Sequence, residues 1–159
     1  MYTYKRTIKS GDMIEVEYYQ SIRKIGKNYG GRKSNNSLSP AKMRKANKLR
    51  AVKHMQRLIN ANFGSGDFFC RFSAPYGTYE TEEEFRKEVG KWLYRINYRL
   101  KKQGKGRLKY IAFIECGKSG KNWHIHIIVS KEDRELLSEQ WPYENGQNFT
   151  PLYINENFK

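Results

Sequence analysis

His124 and His126 stand one residue apart in the run Trp-His-Ile-His-Ile-Ile-Val-Ser, and Glu115 lies nine positions before the first of them. Two imidazoles and a carboxylate are ligand types that hold a divalent ion. The spacing brings them together if residues 108–116 and 123–130 form a hairpin closed by the loop Gly117–Asn122. Symmetric pairing about that loop puts Glu115 opposite His124. His126 then projects from the same face, because strand side chains alternate. Directly opposed Cβ atoms lie about 4.5–5.5 Å apart, close enough for the three side chains to share one ion. Ile125, Ile127 and Val129 fall on the other face and form an apolar set that can pack under helices. Three protein ligands leave coordination positions open to water or phosphate oxygens, so the set suits Mn2+ or Mg2+ at a phosphodiester, where the ion polarises P–O bonds. A structural zinc site would be closed by four protein ligands.

Other elements must hold this hairpin in place. MYTYKRTIK and MIEVEYYQS alternate around Ser-Gly-Asp and predict a first hairpin. Ser39-Pro40 offers an N-cap and a proline at the first helical position. Met43, Ala46, Leu49, Val52, Met55 and Ile59 follow at spacings of three or four, predicting a helix to about Asn62 with one core-facing apolar stripe. Asp67–Ser73 reads as a strand. Thr81-Glu-Glu-Glu84 is a capping-box pattern, and Phe85, Val89, Trp92, Leu93, Ile96 and Leu100 behind it predict a second helix with a buried stripe. After the histidine strand come a short helix from about Lys131, a loop with Trp141-Pro142 and Gly146, and a final strand over Phe149–Ile154. The order predicts an α+β fold, a central antiparallel β-sheet flanked by helices. The 159 residues are read as one domain with a flexible Gly/Asn/Ser-rich loop at 26–39.

The charge points to a partner. The chain carries 31 Lys+Arg against 16 Asp+Glu, a net charge of +15. From Tyr18 to Gly66 no residue is acidic, while twelve are basic. Such a one-signed stretch repels itself unless a polyanion relieves it, and nucleic acid is the expected polyanion. Arg32, Lys33, Lys42, Lys45, Lys48 and Lys53 in this stretch are candidate DNA contacts, with Arg71, Lys118 and Lys121 nearer the histidine hairpin. Tyr29, Tyr76, Tyr79 and Trp141, where exposed, are candidates to stack on bases. His54 reads as a surface histidine outside the ligand set. No apolar run reaches the roughly 18–20 residues of a membrane span, and no apolar signal-peptide core opens the chain. Cys70 and Cys116 belong to no CxxC pair and are expected as free, half-buried thiols in a reducing cytoplasm.

The pattern His124-Ile125-His126 resembles the HUH endonuclease superfamily (His–hydrophobic–His), in particular the replication initiators of rolling-circle plasmids, bacteriophages and integrative elements. IKSGDMIEVEYY, KANKLRAVKHMQRLINANFGSGDFF and LKYIAFIECGKSGKNWHIHIIVS occur in the order of such proteins, the last being the specific stretch. The resemblance implies a ferredoxin- or RRM-like sheet with the HUH strand at its centre, and Asp67–Ser73 as the first motif strand. It implies metal-dependent nicking of single-stranded DNA or an origin hairpin, with Glu115, His124 and His126 as ligands of Mn2+ or Mg2+. A tyrosine hydroxyl would form a 5′-phosphotyrosine link and free a 3′-OH. Host replication machinery would be a further partner, and the cytoplasm of a bacterial or phage-infected cell the location.

The nucleophile departs from the pattern. After Ser130 the chain offers only Tyr143 and Tyr153, neither followed by the expected lysine on a helix. The expectation is therefore a nuclease domain cut just before its tyrosine helix, binding metal and DNA but nicking poorly, with Tyr153 as the alternative nucleophile. Two other readings stay open: a non-catalytic basic module that grips single strands, and a two-His, one-carboxylate oxygenase. The second would need many short strands and a downstream histidine, and no histidine follows His126.

Overall fold

The computed structural model describes residues 1–22, 25–26 and 40–152. They fall into two compact units, Met1–Asn62 and Phe63–Lys159.

In the first unit, β1 (Tyr2–Ser10) and β2 (Met13–Ser21) form the expected antiparallel hairpin, in register from Tyr2 opposite Ser21 to Ser10 opposite Met13. The two residues left to turn are Gly11 and Asp12, a Gly-X pair suited to a tight hairpin. Gly11 has φ +59°, and a Cβ there would lie 2.0 Å from the Asn60 carbonyl oxygen, so no other residue fits. That carbonyl belongs to α1 (Pro40–Asn62). The helix is held to the hairpin mainly by charge: Arg57 donates to both carboxylate oxygens of Glu15 at 3.0 Å, and Lys53 Nζ lies 2.6 Å from Glu17 Oε1. The Arg57 hydrogen bond holds the Glu15 carboxyl below its usual range, as Lys53 does for Glu17.

The apolar stripe of α1 is not buried as its spacing predicts. Met43, Leu49, Val52 and Met55 are exposed, Leu49 by 57%, whereas Ala46 and Ile59 are half-buried. The physical reason is local. The helix meets the hairpin near its C-terminal end, through Lys53, Arg57 and the Asn60 carbonyl, and not along the stripe.

The second unit is built on a four-stranded antiparallel sheet in the order β4-β5-β3-β6, comprising β3 (Phe68–Ser73), β4 (Tyr110–Cys116), β5 (Trp123–Val129) and β6 (Gln147–Pro151). The histidine strand β5 is thus interior to the sheet. Its Ile125, Ile127 and Val129, with Cys70 and Phe72 of β3, form one buried face. Against that face pack Phe85, Val89, Trp92, Ile96 and Leu100 of α2 (Glu82–Lys102), Leu137 of α3 (Arg134–Gln140), and Trp141. Here the predicted stripe is the buried one, because a broad apolar sheet lies opposite it. Trp92 also donates its indole N–H to the Leu137 carbonyl at 3.2 Å, tying α2 to α3.

Several boundaries shift from expectation. The final strand is Gln147–Pro151 instead of Phe149–Ile154; the carbonyl of Gly146, a residue at φ +86°, accepts from Ser73 N at 2.9 Å and starts the pairing two residues earlier. The strand expected from Leu108 begins at Tyr110, and Leu108 N instead donates to Asn97 Oδ1 of α2 at 3.0 Å. Cys70, expected half-buried, is fully buried, and burial pushes its thiol up to about 12. Both cysteines are free.

Thr81 caps α2, its hydroxyl oxygen accepting from Glu84 N at 3.3 Å. Glu84 returns its carboxylate to Glu80 N at 3.0 Å, one residue before the usual capping-box partner. Replacing Thr81 with Ala should lower stability by about 1 kcal/mol in urea denaturation. No change in midpoint would show that the three first-turn glutamates suffice without the cap.

Candidate metal centre

The β4–β5 ladder has the register the hairpin spacing predicts, with Glu115 opposite His124 and Phe113 opposite His126. The loop is closed at its base by Gly117 N donating to Asn122 O at 2.9 Å. Both imidazoles aim Nε2 at the same carboxylate oxygen: Glu115 Oε2 lies 3.5 Å from His124 Nε2 and 3.3 Å from His126 Nε2. The three candidate ligand atoms lie within 4.8 Å of one another.

The surroundings prepare each imidazole as a ligand. His124 Nδ1 lies 3.1 Å from the Asn122 carbonyl oxygen. Donation to that carbonyl keeps the proton on Nδ1 and leaves the Nε2 lone pair facing Glu115. The His126 ring is held between two phenylalanines, stacked on Phe69 of β3 at 5.3 Å and on Phe113 of β4 at 4.9 Å between centroids. Burial between them, then the neighbouring His124, pushes the His126 pKa down, against the opposing pull of Glu115. A lowered pKa favours the neutral imidazole, the form that binds metal. Glu115 remains exposed, so the group opens to solvent on one side. Two Nε2 lone pairs and one carboxylate, converging on an open face, fit a divalent ion with free coordination positions.

The other candidate residues fall in different places. Arg71 lies on the same sheet face, directly opposite His126 in the β3–β5 ladder. Lys118 and Lys121 are exposed in the loop beside Glu115 and His124. Lys42, Lys45 and Lys48 are exposed on α1 of the first unit, and Lys53 is paired with Glu17. Arg32, Lys33, Tyr29, Tyr153 and the predicted loop beyond residue 26 lie outside the described residues. Tyr76 is exposed, but Trp141 is buried and so cannot stack on a base. Tyr79 and Tyr143 share a hydrogen bond of 2.6 Å between their hydroxyls, and burial with that bond pushes the Tyr79 pKa up. His54 is exposed on α1, apart from the ligand set.

Sequence reading missed Phe69, Phe113 and the Asn122 carbonyl. Phe113 was accessible in principle, since the register that pairs Glu115 with His124 also pairs Phe113 with His126. Phe69 was not, because its place depends on a contact between strands about sixty residues apart.

One comparison with known proteins bears on this site. Residues 77–154 match the family profile of the replication-associated proteins of the ORF2 type. The matched segment contains Glu115, His124 and His126 together with α2, α3 and β6, and supports a replication role for the chain. No curated protein and no solved structure gives a significant match. Among the described residues no helix is long and apolar enough to cross a membrane.

Proposed function

We propose that the chain is the DNA-processing part of a replication initiator, an HUH-type domain that binds single-stranded or origin-hairpin DNA and nicks it with a divalent ion. The observation that carries this reading is the convergence of Glu115, His124 and His126 on one point of an open sheet face, within a segment that matches a replication-associated family. Glu115 Oε2 and the two Nε2 atoms would hold Mn2+ or Mg2+. A bound ion would supply Lewis-acid polarisation of the scissile phosphate and offset charge on the leaving oxygen. The chain's own part is to keep both imidazoles neutral and oriented, through the Asn122 carbonyl and the Phe69–Phe113 sandwich.

In the nicking step a tyrosine oxygen bonds to phosphorus, the P–O3′ bond breaks, and the phenolic proton is lost as the 3′-oxygen gains one. The product is a 5′-phosphotyrosine and a free 3′-OH. Tyr79 and Tyr143 are unsuited to the attack, because their hydroxyls are bonded to each other. Tyr153 is the candidate within this sequence.

Incubation of labelled single-stranded oligonucleotides with Mn2+ should give cleaved strands and a covalent protein–DNA adduct, both lost in EDTA. Binding without cleavage or adduct would favour the second reading, a basic module that grips single strands, which the net charge of +15 supports. Either reading makes binding electrostatic. Each neutralised phosphate on a single strand contributes about −0.7 to the slope of log K against log salt. Three or more contacts should therefore give a slope of about −2 or steeper by fluorescence anisotropy. A flat dependence would remove the basic residues from the interface.

A further inference from the structure

Beside the candidate metal centre the same sheet face holds an open pocket of about 430 Å3, lined by Phe69, Arg71, His126, Gly146, Gln147 and Asn148. Arg71 is central to it. In the ladder it lies between His126 of β5 and Asn148 of β6, so all three side chains leave the sheet on the side of the ligand set. The β3 strand is otherwise apolar at this level: Cys70 and Phe72, on either side of Arg71, are fully buried on the opposite face.

The arginine is both oriented and unspent. Its Nε lies 3.2 Å from Ser73 Oγ, and Ser73, opposite His124, is itself buried. With Nε engaged, the two terminal nitrogens remain to meet a ligand. Among the described residues Arg71 forms no ion pair, while Lys53, Arg57, Arg86, Lys87, Lys91 and Arg95 each do. Glu115 is the nearby carboxylate, and it turns to the histidines instead. A cation fixed on a strand with no anionic partner, facing a pocket next to a metal-type ligand set, has the chemistry of a phosphate fork. Guanidinium presents two parallel N–H groups to two oxygens of one phosphate.

We propose that Arg71, held by Ser73, binds the non-bridging oxygens of the phosphodiester at the His126 side of the metal centre, and that the pocket over Gln147 and Asn148 receives the attached nucleoside. The inference rests on the phosphodiester reading given above and assigns the group that positions the phosphate. The ion and the arginine then share the phosphate charge from two sides. Ser73 is a positioning residue in this scheme, since it acts through Arg71.

A single-phosphate probe tests it without knowledge of the DNA site. The whole chain is titrated with the dinucleotide dTpdT and with its uncharged methylphosphonate analogue, in Mg2+, and binding is read from amide chemical shifts. The wild type should prefer dTpdT about tenfold, the scale of one charge-assisted contact. Arg71→Ala should lose that preference, with Mn2+ affinity unchanged by calorimetry, and Arg71→Lys should keep part of it. Ser73→Ala should reduce the preference without abolishing it. An Arg71→Ala variant that still discriminates as the wild type does overturns the assignment and leaves the metal reading standing. A wild type that binds both probes equally, or neither, also overturns the assignment. If instead the preference depends on Arg71 but Mn2+ affinity does not respond to loss of His124 and His126, the arginine assignment holds and the metal reading fails.

Discussion

Replacing His124 and His126 together with Ala should weaken Mn2+ binding at least about 100-fold and leave the circular dichroism spectrum unchanged. Removing even a group that only orients a metal ligand costs about 10–100-fold in affinity, so losing two ligands of three should exceed that range. The fold should survive because neither ring anchors the core. Both project from the face of β5 opposite Ile125, Ile127 and Val129, which supply its buried contacts with α2 and α3. Glu115→Gln tests the third ligand with less disturbance, since the amide keeps the shape and loses the charge; it should weaken binding less than the double substitution. Calorimetry or Mn2+ electron paramagnetic resonance gives the affinity directly. Unchanged affinity in the double variant would mean that the ion, if one binds, binds elsewhere, and the nuclease reading would lose its centre.

Trp92→Ala should remove most of the stability of the second unit, about 3–5 kcal/mol by the usual cost of deleting a buried aromatic. Trp92 is fully buried and lies 4.8 Å from the Phe72 ring and 4.9 Å from the Trp141 ring between centroids. Its loss opens a cavity between helix and sheet and leaves the Leu137 carbonyl without its indole donor. Domains of this size have total stabilities of about 5–15 kcal/mol, so the variant should melt far below the wild type and unfold at low urea. Trp92→Phe should recover part of the loss through ring packing while still lacking the hydrogen bond. A change under about 1 kcal/mol for Trp92→Ala would show that α2 contributes little to the core. The metal site would be affected indirectly, because α2 packs on the reverse face of the strand that carries both histidines.

These two substitutions act on opposite faces of β5, and that alternation is what made the site readable. A strand with period two separates His124 and His126 from Ile125, Ile127 and Val129 without help from the rest of the chain. The short loop to the preceding strand then delivers Glu115. The helix α2 was legible for a similar reason: Phe85, Val89, Trp92, Ile96 and Leu100 mark its buried stripe, and Thr81 its start. The same reasoning failed for α1. Periodicity states which residues share a face of a helix, not whether a large enough surface lies opposite. Met43, Leu49 and Val52 share a face and remain exposed. Lys53 shows the limit on the polar side: its type fits a phosphate contact, but its position sets it against Glu17.

The amino-acid sequence by itself determined the ligand set, its pairing in one hairpin, and the basic character that suits a polyanion, because all three depend on local spacing or on simple charge. Tertiary structure decided what those groups face. It brought β3 alongside β5, so that Phe69 closes over His126 and Arg71 comes to lie beside it, and it placed β6 on the far side of β3. Neither placement is written in neighbouring residues. Each depends on strands distant in the chain finding the register that buries one face of the sheet against α2, and only that burial fixes which side chains are left on the other.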